Sequence, residues 1–205
     1  MAQRLKTEVR DRILLAAKTV FAADGYRSAK MADIAQTAGI SAGNLYRYFG
    51  GKEALFHAVI DPQFVSRFDR LLDRRVQALS NLGRGGTEED ASAAAEELLR
   101  FWIEHRLAVV VVLDRCEGSR YDGFGERFVQ RLVAMTEEHL EALRPDAVLP
   151  SIVPFTLTNI FHTSLRSVVS ILETYSSDEE IRAAFEAFWS FQLAGLAGFE
   201  QWVRT

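Results

Sequence analysis

The chain has 205 residues, 48% hydrophobic and 25% charged, with a formal net charge of −4. This is globular rather than disordered composition, and a chain of this size buries roughly 70% of its unfolded surface, enough for a core without staples. A lone cysteine, Cys116, excludes an internal disulfide framework and a cysteine-rich metal cluster.

No apolar run reaches the ~20 residues of a membrane span, and the opening MAQRLKTEVRDR lacks the apolar centre of a signal peptide. A cytoplasmic protein without a membrane partner is expected. Charge is uneven along the chain. Residues 1–52 hold nine Lys and Arg against four Asp and Glu, a net of +5, while the rest hold fifteen against twenty-four, a net of −9. All four lysines, Lys6, Lys18, Lys30 and Lys52, lie in the first segment. That asymmetry points to an N-terminal unit that meets a polyanion, the plainer alternative being solvated helix faces.

The apolar spacing is helical throughout. Ile13, Leu14, Ala17, Val20 and Phe21 predict a helix from near Thr7 to Asp24-Gly25. A short second helix spans about Lys30 to Ala38 and ends at Gly39. Ser41 is the expected N-cap of a third, Ala42 to Phe49, closed by Gly50-Gly51. A fourth runs from Lys52 to Arg75, kinked or broken at Pro62. The stretch Asn81 to Gly86 reads as a loop, and Thr87-Glu88-Glu89-Asp90 as an acidic helix start. Further helices are expected over Glu88–His105, Leu107–Cys116, Phe124–Leu143, Ser151–Leu172 and Asp178–Trp202. The run Ala108–Leu113 has strand propensity but no partner strand, and is read as a buried helix. The fold class is therefore all-α, with about nine helices.

Two short helices joined by a tight turn, ADIAQTAGISAGNLYRYF, form the arrangement of a helix-turn-helix. Ile34, Ala35, Ile40 and Leu45 would hold the pair together, leaving Ala42, Gly43, Asn44, Arg47 and Tyr48 to project toward a groove. Asparagine and arginine can offer paired hydrogen bonds to base edges. Tyr46 and Tyr48 carry hydroxyls suited to phosphate oxygens, and Lys52 opens the next helix where exposed amides favour an anion.

Thr7 to Leu55 resembles the DNA-binding domain of the tetracycline-repressor (TetR, AcrR-like) family of transcriptional regulators. The resemblance rests on Ile13-Leu14-x-Ala16-Ala17, Phe21 and Gly25-Tyr26, then Asp33-Ile34-Ala35-x-x-Ala38-Gly39-Ile40-Ser41. It continues through Gly43-Asn44-Leu45-Tyr46-x-Tyr48-Phe49-x-x-Lys52-Glu53-x-Leu55, about a quarter of the chain without a gap. Two positions depart from the family pattern. Ala29-Lys30 stands where a threonine commonly caps the second helix and touches phosphate, so Ser28 or Lys30 takes those roles, and Gly50-Gly51 replaces a polar or basic pair. The expected DNA-binding set is thus Ser28, Lys30, Ser41, Ala42, Gly43, Asn44, Tyr46, Arg47, Tyr48 and Lys52.

The resemblance implies a helix-turn-helix domain over 1–52 and a helical effector-binding and dimerisation domain over 53–205. It implies a homodimer that binds a palindromic operator in double-stranded DNA, represses, and is released by a small molecule. From the residues themselves, Ile181, Phe185, Phe188, Trp189, Leu196, Phe199 and Val203 make an apolar face wider than one subunit needs. Gly195 and Gly198 each cost ~1 kcal/mol in a helix unless a close crossing offsets it. Phe188, Gly195, Gly198 and Phe199 are therefore the expected dimer contacts, in a four-helix arrangement of 151–172 and 178–202 from each chain. The alternative is that both glycines admit a bulky neighbour within one subunit.

Twelve of fourteen phenylalanines follow residue 52, and most should be core. An apolar or aromatic effector is expected among Phe68, Trp102, Phe128, Phe161 and His162, with Arg106, Arg115, Tyr121 or Arg166 as polar anchors. His162 has a second reading as a satisfied core histidine. The segment Asp114 to Phe124 is a pocket rim or a turn, and Cys116 beside Arg115 lacks a second cysteine to resolve an oxidised thiol.

An enzyme reading finds no nucleophile turn, no phosphate-cradling glycine loop and no Glu-x-x-His pair, so no metal and no cofactor is expected. A ligand-independent dimeric DNA binder is the remaining alternative, and it leaves the apolar-rich body unexplained except as a dimeriser.

Overall fold

The computed structural model describes residues 2–82, 85–143 and 148–204, and among them the regular structure is helical. Ten helices follow in order: α1 (Ala2–Ser28), α2 (Met31–Thr37), α3 (Ala42–Tyr48), α4 (Lys52–Val59), α5 (Pro62–Asn81), α6 (Glu88–Glu104), α7 (Arg106–Asp114), α8 (Phe124–Leu143), α9 (Ile152–Thr174) and α10 (Asp178–Arg204). One more helix is present than the sequence spacing suggests, because the expected Lys52–Arg75 element is broken. Asp61 Oδ1 accepts the Phe64 amide at 2.7 Å as an N-cap, and Pro62 begins α5, where its missing N–H costs nothing.

α1 starts earlier than the apolar periodicity indicates, and its regular helix is interrupted at Gly25, which takes the expected positive φ. The helix kinks there, with Gly25 at φ 75°, ψ 157°, and resumes to Ser28. The valine run is helical as read: α7 buries Ala108 to Leu113, and Val109 to Val112 are each 0% exposed. α6 and α10 begin with reciprocal caps. Asp90 N–H donates to Thr87 Oγ1 at 3.0 Å and Glu180 N–H to Ser177 Oγ at 3.2 Å, while each hydroxyl donates back to the acid three residues on. Of the loop expected at Asn81–Gly86, positions 83–84 lie outside the described residues, and the Gly86 amide closes a turn onto Asn81 O.

The helices form two units, Met1–Phe68 with His105–Phe124, and Asp69–Glu104 with Gly125–Thr205. The division is discontinuous in sequence, so α7 packs on α1 in the first unit although it lies beyond the 52/53 boundary read from the motif. The first core gathers Ile13, Ala17 and Phe21 of α1, Ile34 of α2, Leu45 of α3 and Leu55 and Phe56 of α4. The second gathers Phe101 and Trp102 of α6, Leu140 of α8, Leu157 and Leu172 of α9 and Ile181 and Phe185 of α10. At its periphery Arg182 grips both carboxylate oxygens of Glu96, at 2.9 and 3.0 Å, and Arg131 spans Asp69 and Asp73.

Candidate nucleic-acid interface

The turn between α2 and α3 is closed by its own backbone. Gly39 takes φ 66°, its amide donates to Gln36 O, and the Ile40 amide reaches back to Ala35 O, both at 3.0 Å. That pair is a Schellman closure, which needs the left-handed conformation that glycine adopts without a Cβ penalty. Ser41 follows in extended conformation (φ −72°, ψ 150°) and caps α3, its hydroxyl accepting from the Asn44 amide at 3.2 Å. Helix direction is thus set by two residues on either side of Ile40.

At 100° per residue, Ala42, Gly43, Arg47 and Tyr46 share an arc of about 140° on α3, with Leu45 on the far side. The burial follows that wheel. Leu45 is 0% exposed and Tyr46 53%; Ala42, Gly43 and Arg47 are exposed, and Asn44 and Tyr48 are half-buried at the flanks. A side chain built at Gly43 would meet nothing within 4 Å, so this face is open. Arg47 has no ion pair among the described residues. Arg10 of α1 stacks over Phe49, the residue that ends α3, at 5.8 Å from the ring centre.

Two expectations at this site need correction. The α2 N-terminus has no side-chain cap: Lys30 occupies the cap position and cannot accept a hydrogen bond, and Ser28 is the exposed last residue of α1. Their capping role is therefore absent, although both remain exposed. Lys52 is the second case. Its ammonium donates to the carbonyl oxygens of Tyr26 (2.8 Å), Arg27 (3.0 Å) and Ala29 (3.1 Å), and lies 4.7 Å from the Tyr26 ring centre. Every hydrogen it can donate already has a protein acceptor. The ammonium neutralises the negative end of α1 instead of standing free as an anion site.

The residues expected around an effector divide between the two units. In the first unit Phe68 is fully buried and stacks on Phe124 at 5.7 Å, Arg106 and Arg115 are half-buried, and the Tyr121 hydroxyl is buried without a partner. Burial raises the Tyr121 phenol above its ordinary range, the Asp61 charge adding to this and Arg120 opposing it. In the second unit Trp102 packs on Phe185 at 5.0 Å with its indole N–H unpaired, and Phe128 lies under Arg131. Phe161 lines a cavity, and Arg166 is exposed. His162 is not a core histidine: its side chain is 43% exposed, with Nε2 3.3 Å from Glu126. Cys116 is buried, its Sγ 3.3 Å from Val112 O and 3.1 Å from Tyr121 O.

The apolar face of α10 divides within one chain. Ile181, Phe185 and Val203 are core, Phe188, Trp189, Leu196 and Phe199 are half-buried, and Gly195 and Gly198 are exposed. Among the described residues, no atom from outside the local helix lies within 4 Å of a Cβ built at either glycine, so no bulky neighbour in the described part of the chain packs on them. Exposed apolar residues that sequence reading missed accompany them: Ile152 and Phe155 on α9, and Phe191 and Trp202 on α10. Period alone could not separate these from Ile181 and Phe185.

Comparison with known proteins agrees with the geometry. Residues 13–59 match the family described as bacterial regulatory proteins, tetR family. A 63-residue stretch is 43% identical to the HTH-type transcriptional regulator UidR of Escherichia coli K12 and equally to that of Shigella flexneri. That stretch is 29% of this chain and spans about a third (32%) of those relatives' length. Beyond the N-terminal domain, the fold is similar to that of a TetR-like transcriptional regulator from Rhodococcus sp. RHA1. The two are 26% identical, with a TM-score of 0.55 over 93% of this chain and 96% of the other.

Proposed function

We propose, from the match of residues 13–59 to the bacterial tetR family and the likeness of the fold to a TetR-like regulator, that the chain is a tetracycline-repressor-family regulator that represses transcription as a homodimer on a palindromic DNA operator and is released by a small molecule. The observation that carries the DNA half is the open face of α3. Ala42, Gly43, Tyr46 and Arg47 project from a helix whose start is held by Ser41 and whose back, Leu45, is buried. A dimer presents two such helices to successive major-groove faces, about 34–36 Å apart.

The dimer half is supported by α9 and α10. Gly195, Gly198, Phe155, Phe191 and Trp202 leave an apolar, closely approachable surface that one chain does not cover. Small residues there let two helix backbones cross, and the buried apolar area offsets their helix cost.

Release follows from linkage: a ligand that prefers one separation of the two recognition helices weakens DNA binding by the free energy with which DNA weakens the ligand. A short route within the first unit supports the coupling. The Tyr26 amide donates to Arg115 O at 2.8 Å, Arg27 pairs with Glu117 at 2.6 Å, and Lys52 holds the same turn of α1. A change in the segment after α7 therefore reaches Lys52, which starts α4 four positions after the last residue of α3.

The test is selection of bound fragments from the host genome by the purified protein at several salt concentrations. A salt-sensitive preference for a two-fold-symmetric duplex is expected. Equal affinity for random competitor DNA would sink the regulator reading, and a ligand-independent operator affinity would leave a dimeric DNA binder without sensing.

A further inference from the structure

We propose that the second unit binds an amphipathic amine in a cleft walled by the end of α5, α8, Phe161 of α9 and the end of α10. Two adjoining cavities, each of about 320 Å³, share Ser80, Met135 and His139. Each is within the range of small-molecule sites, which are concave and mostly apolar with a few polar groups.

The two differ in chemistry. One is walled largely by aliphatic and aromatic side chains, Val76, Leu79, Leu132, Leu140, Leu196 and Phe199 among them. The other is polar, with Gln77, Ser80, Asn81 and Glu138 around the shared His139. An apolar body in the first with a polar head in the second satisfies both, whereas a wholly apolar ligand would desolvate the amides and carboxylate unmatched.

The polar groups choose the head. Among the described residues lining either cavity, the carboxylates are Glu138 and Glu200, and there is no lysine or arginine. Glu200 also accepts from Arg204 and lies 3.7 Å from His139 Nε2. His139 Nδ1 is buried without a hydrogen-bond partner. A cationic head in the polar cavity meets the Glu138 carboxylate there, with Glu200 in the adjoining cavity; a carboxylate head would meet like charge from Glu138.

Of the effector positions expected from the sequence, Phe161 alone lines this cleft; Leu196 and Phe199 come from the apolar face of α10. The inference rests on the ligand-responsive reading only for its effect on DNA; binding itself stands without it.

Isothermal calorimetry on the full chain with decylammonium, decanol and decanoate below their micellar concentrations tests the site. Decylammonium is expected to bind best and decanoate worst. In Glu138→Gln/Glu200→Gln the amine should lose about tenfold in affinity, the size of one charge-assisted hydrogen bond, while decanol is unchanged. Leu196→Trp should fill the apolar cavity and remove binding of all three probes, with Ala197→Leu as a milder second block and circular dichroism reporting the fold.

Binding of decanoate as tight as that of the amine, binding that survives both blocking variants in folded protein, or no binding of any probe would each overturn the proposal. Amine binding blocked by these variants, with operator affinity unchanged by saturating amine, would uphold the site and instead reject this ligand as the releasing signal.

Discussion

The Lys52 ammonium donates to the Tyr26 carbonyl at 2.8 Å while standing 4.7 Å from the centre of the Tyr26 ring. One side chain thus ties the first turn of α4 to the last turn of α1 through both the backbone and the aromatic face. The Tyr26 ring itself packs on Phe56 at 4.6 Å, and Phe56 on Phe21 at 5.3 Å, so the ammonium closes an aromatic cluster. Its contribution is structural, and acts on α3 through the position of α4.

Lys52→Met keeps the aliphatic stem and removes the charge. The three carbonyls revert to water, so we expect about 2 kcal/mol of lost stability in urea unfolding, typical for hydrogen bonds to a charged group. A direct phosphate contact would behave differently, lowering the salt slope of DNA binding by roughly 0.9. An unchanged slope with lowered stability is the expected pair of results.

Gly39→Ala places a Cβ at φ 66° in the turn that aims α3. There is open space around it, so the cost is backbone strain alone, about 1–2 kcal/mol. Thermal unfolding should register that loss, and a variant as stable as wild type would mean the turn is not held in the left-handed conformation.

Arg47→Ala and Asn44→Ala separate base reading from phosphate contact. If these side chains read base edges, each substitution relaxes preference at particular operator positions by about 1–3 kcal/mol. Binding titrations against single-base operator variants measure this directly. A uniform loss across all sequences, with a shallower salt slope, would assign them to the backbone instead.

Gly195→Leu/Gly198→Leu tests the crossing on α10. A Cβ at either position meets nothing within 4 Å among the described residues, and both positions are exposed, so the isolated fold should survive. Sedimentation at low concentration is expected to show dimer for the wild type and monomer for the variant; a variant dimer of undiminished affinity would reject the crossing.

Acid stability should depend on Glu96. Its hydrogen bond from Arg182 is the largest cause holding the carboxyl below the ordinary glutamate range, with desolvation opposing and the charges of Arg182 and Arg100 assisting. A depressed folded pKa contributes stability that is complete above the unfolded value and is lost as pH falls through the folded one. Because both side chains are well exposed, the contribution is small, about 1 kcal/mol or less. Unfolding followed from neutral pH down into the acid range should show a shallower decline in Glu96→Gln than in wild type.

The helix-turn-helix was legible because its signals are local. Ser41 caps a residue three positions away, Gly39 closes a turn five residues long, and Leu45 marks the buried side of α3. The reciprocal caps at Thr87 and Ser177 are equally local, and the break at Pro62 follows from its ring alone. The buried valine helix required one further fact, the lack of a partner strand.

What failed to be legible depended on distant partners. Lys52 looked like a free cation because nothing near it in sequence could hold it; its acceptors lie 23 to 26 residues back. Trp102 and Phe68 carry the same apolar signal, yet each is packed by a different set of helices in a different unit. On α10 the period marked Phe185 and the glycines alike, and only the packed chain distinguished a 0% exposed phenylalanine from glycines that touch nothing.

Residue order by itself determined the helices, the turn and the exposed face of α3, since caps, glycine conformations and apolar period act within about five residues of the chain. Tertiary contact decided which cations are already spent, which aromatic side chains are walls rather than core, and which face of α10 is left over. Those outcomes turn on side chains brought together across long loops, as the Tyr26 amide and the Arg115 carbonyl are.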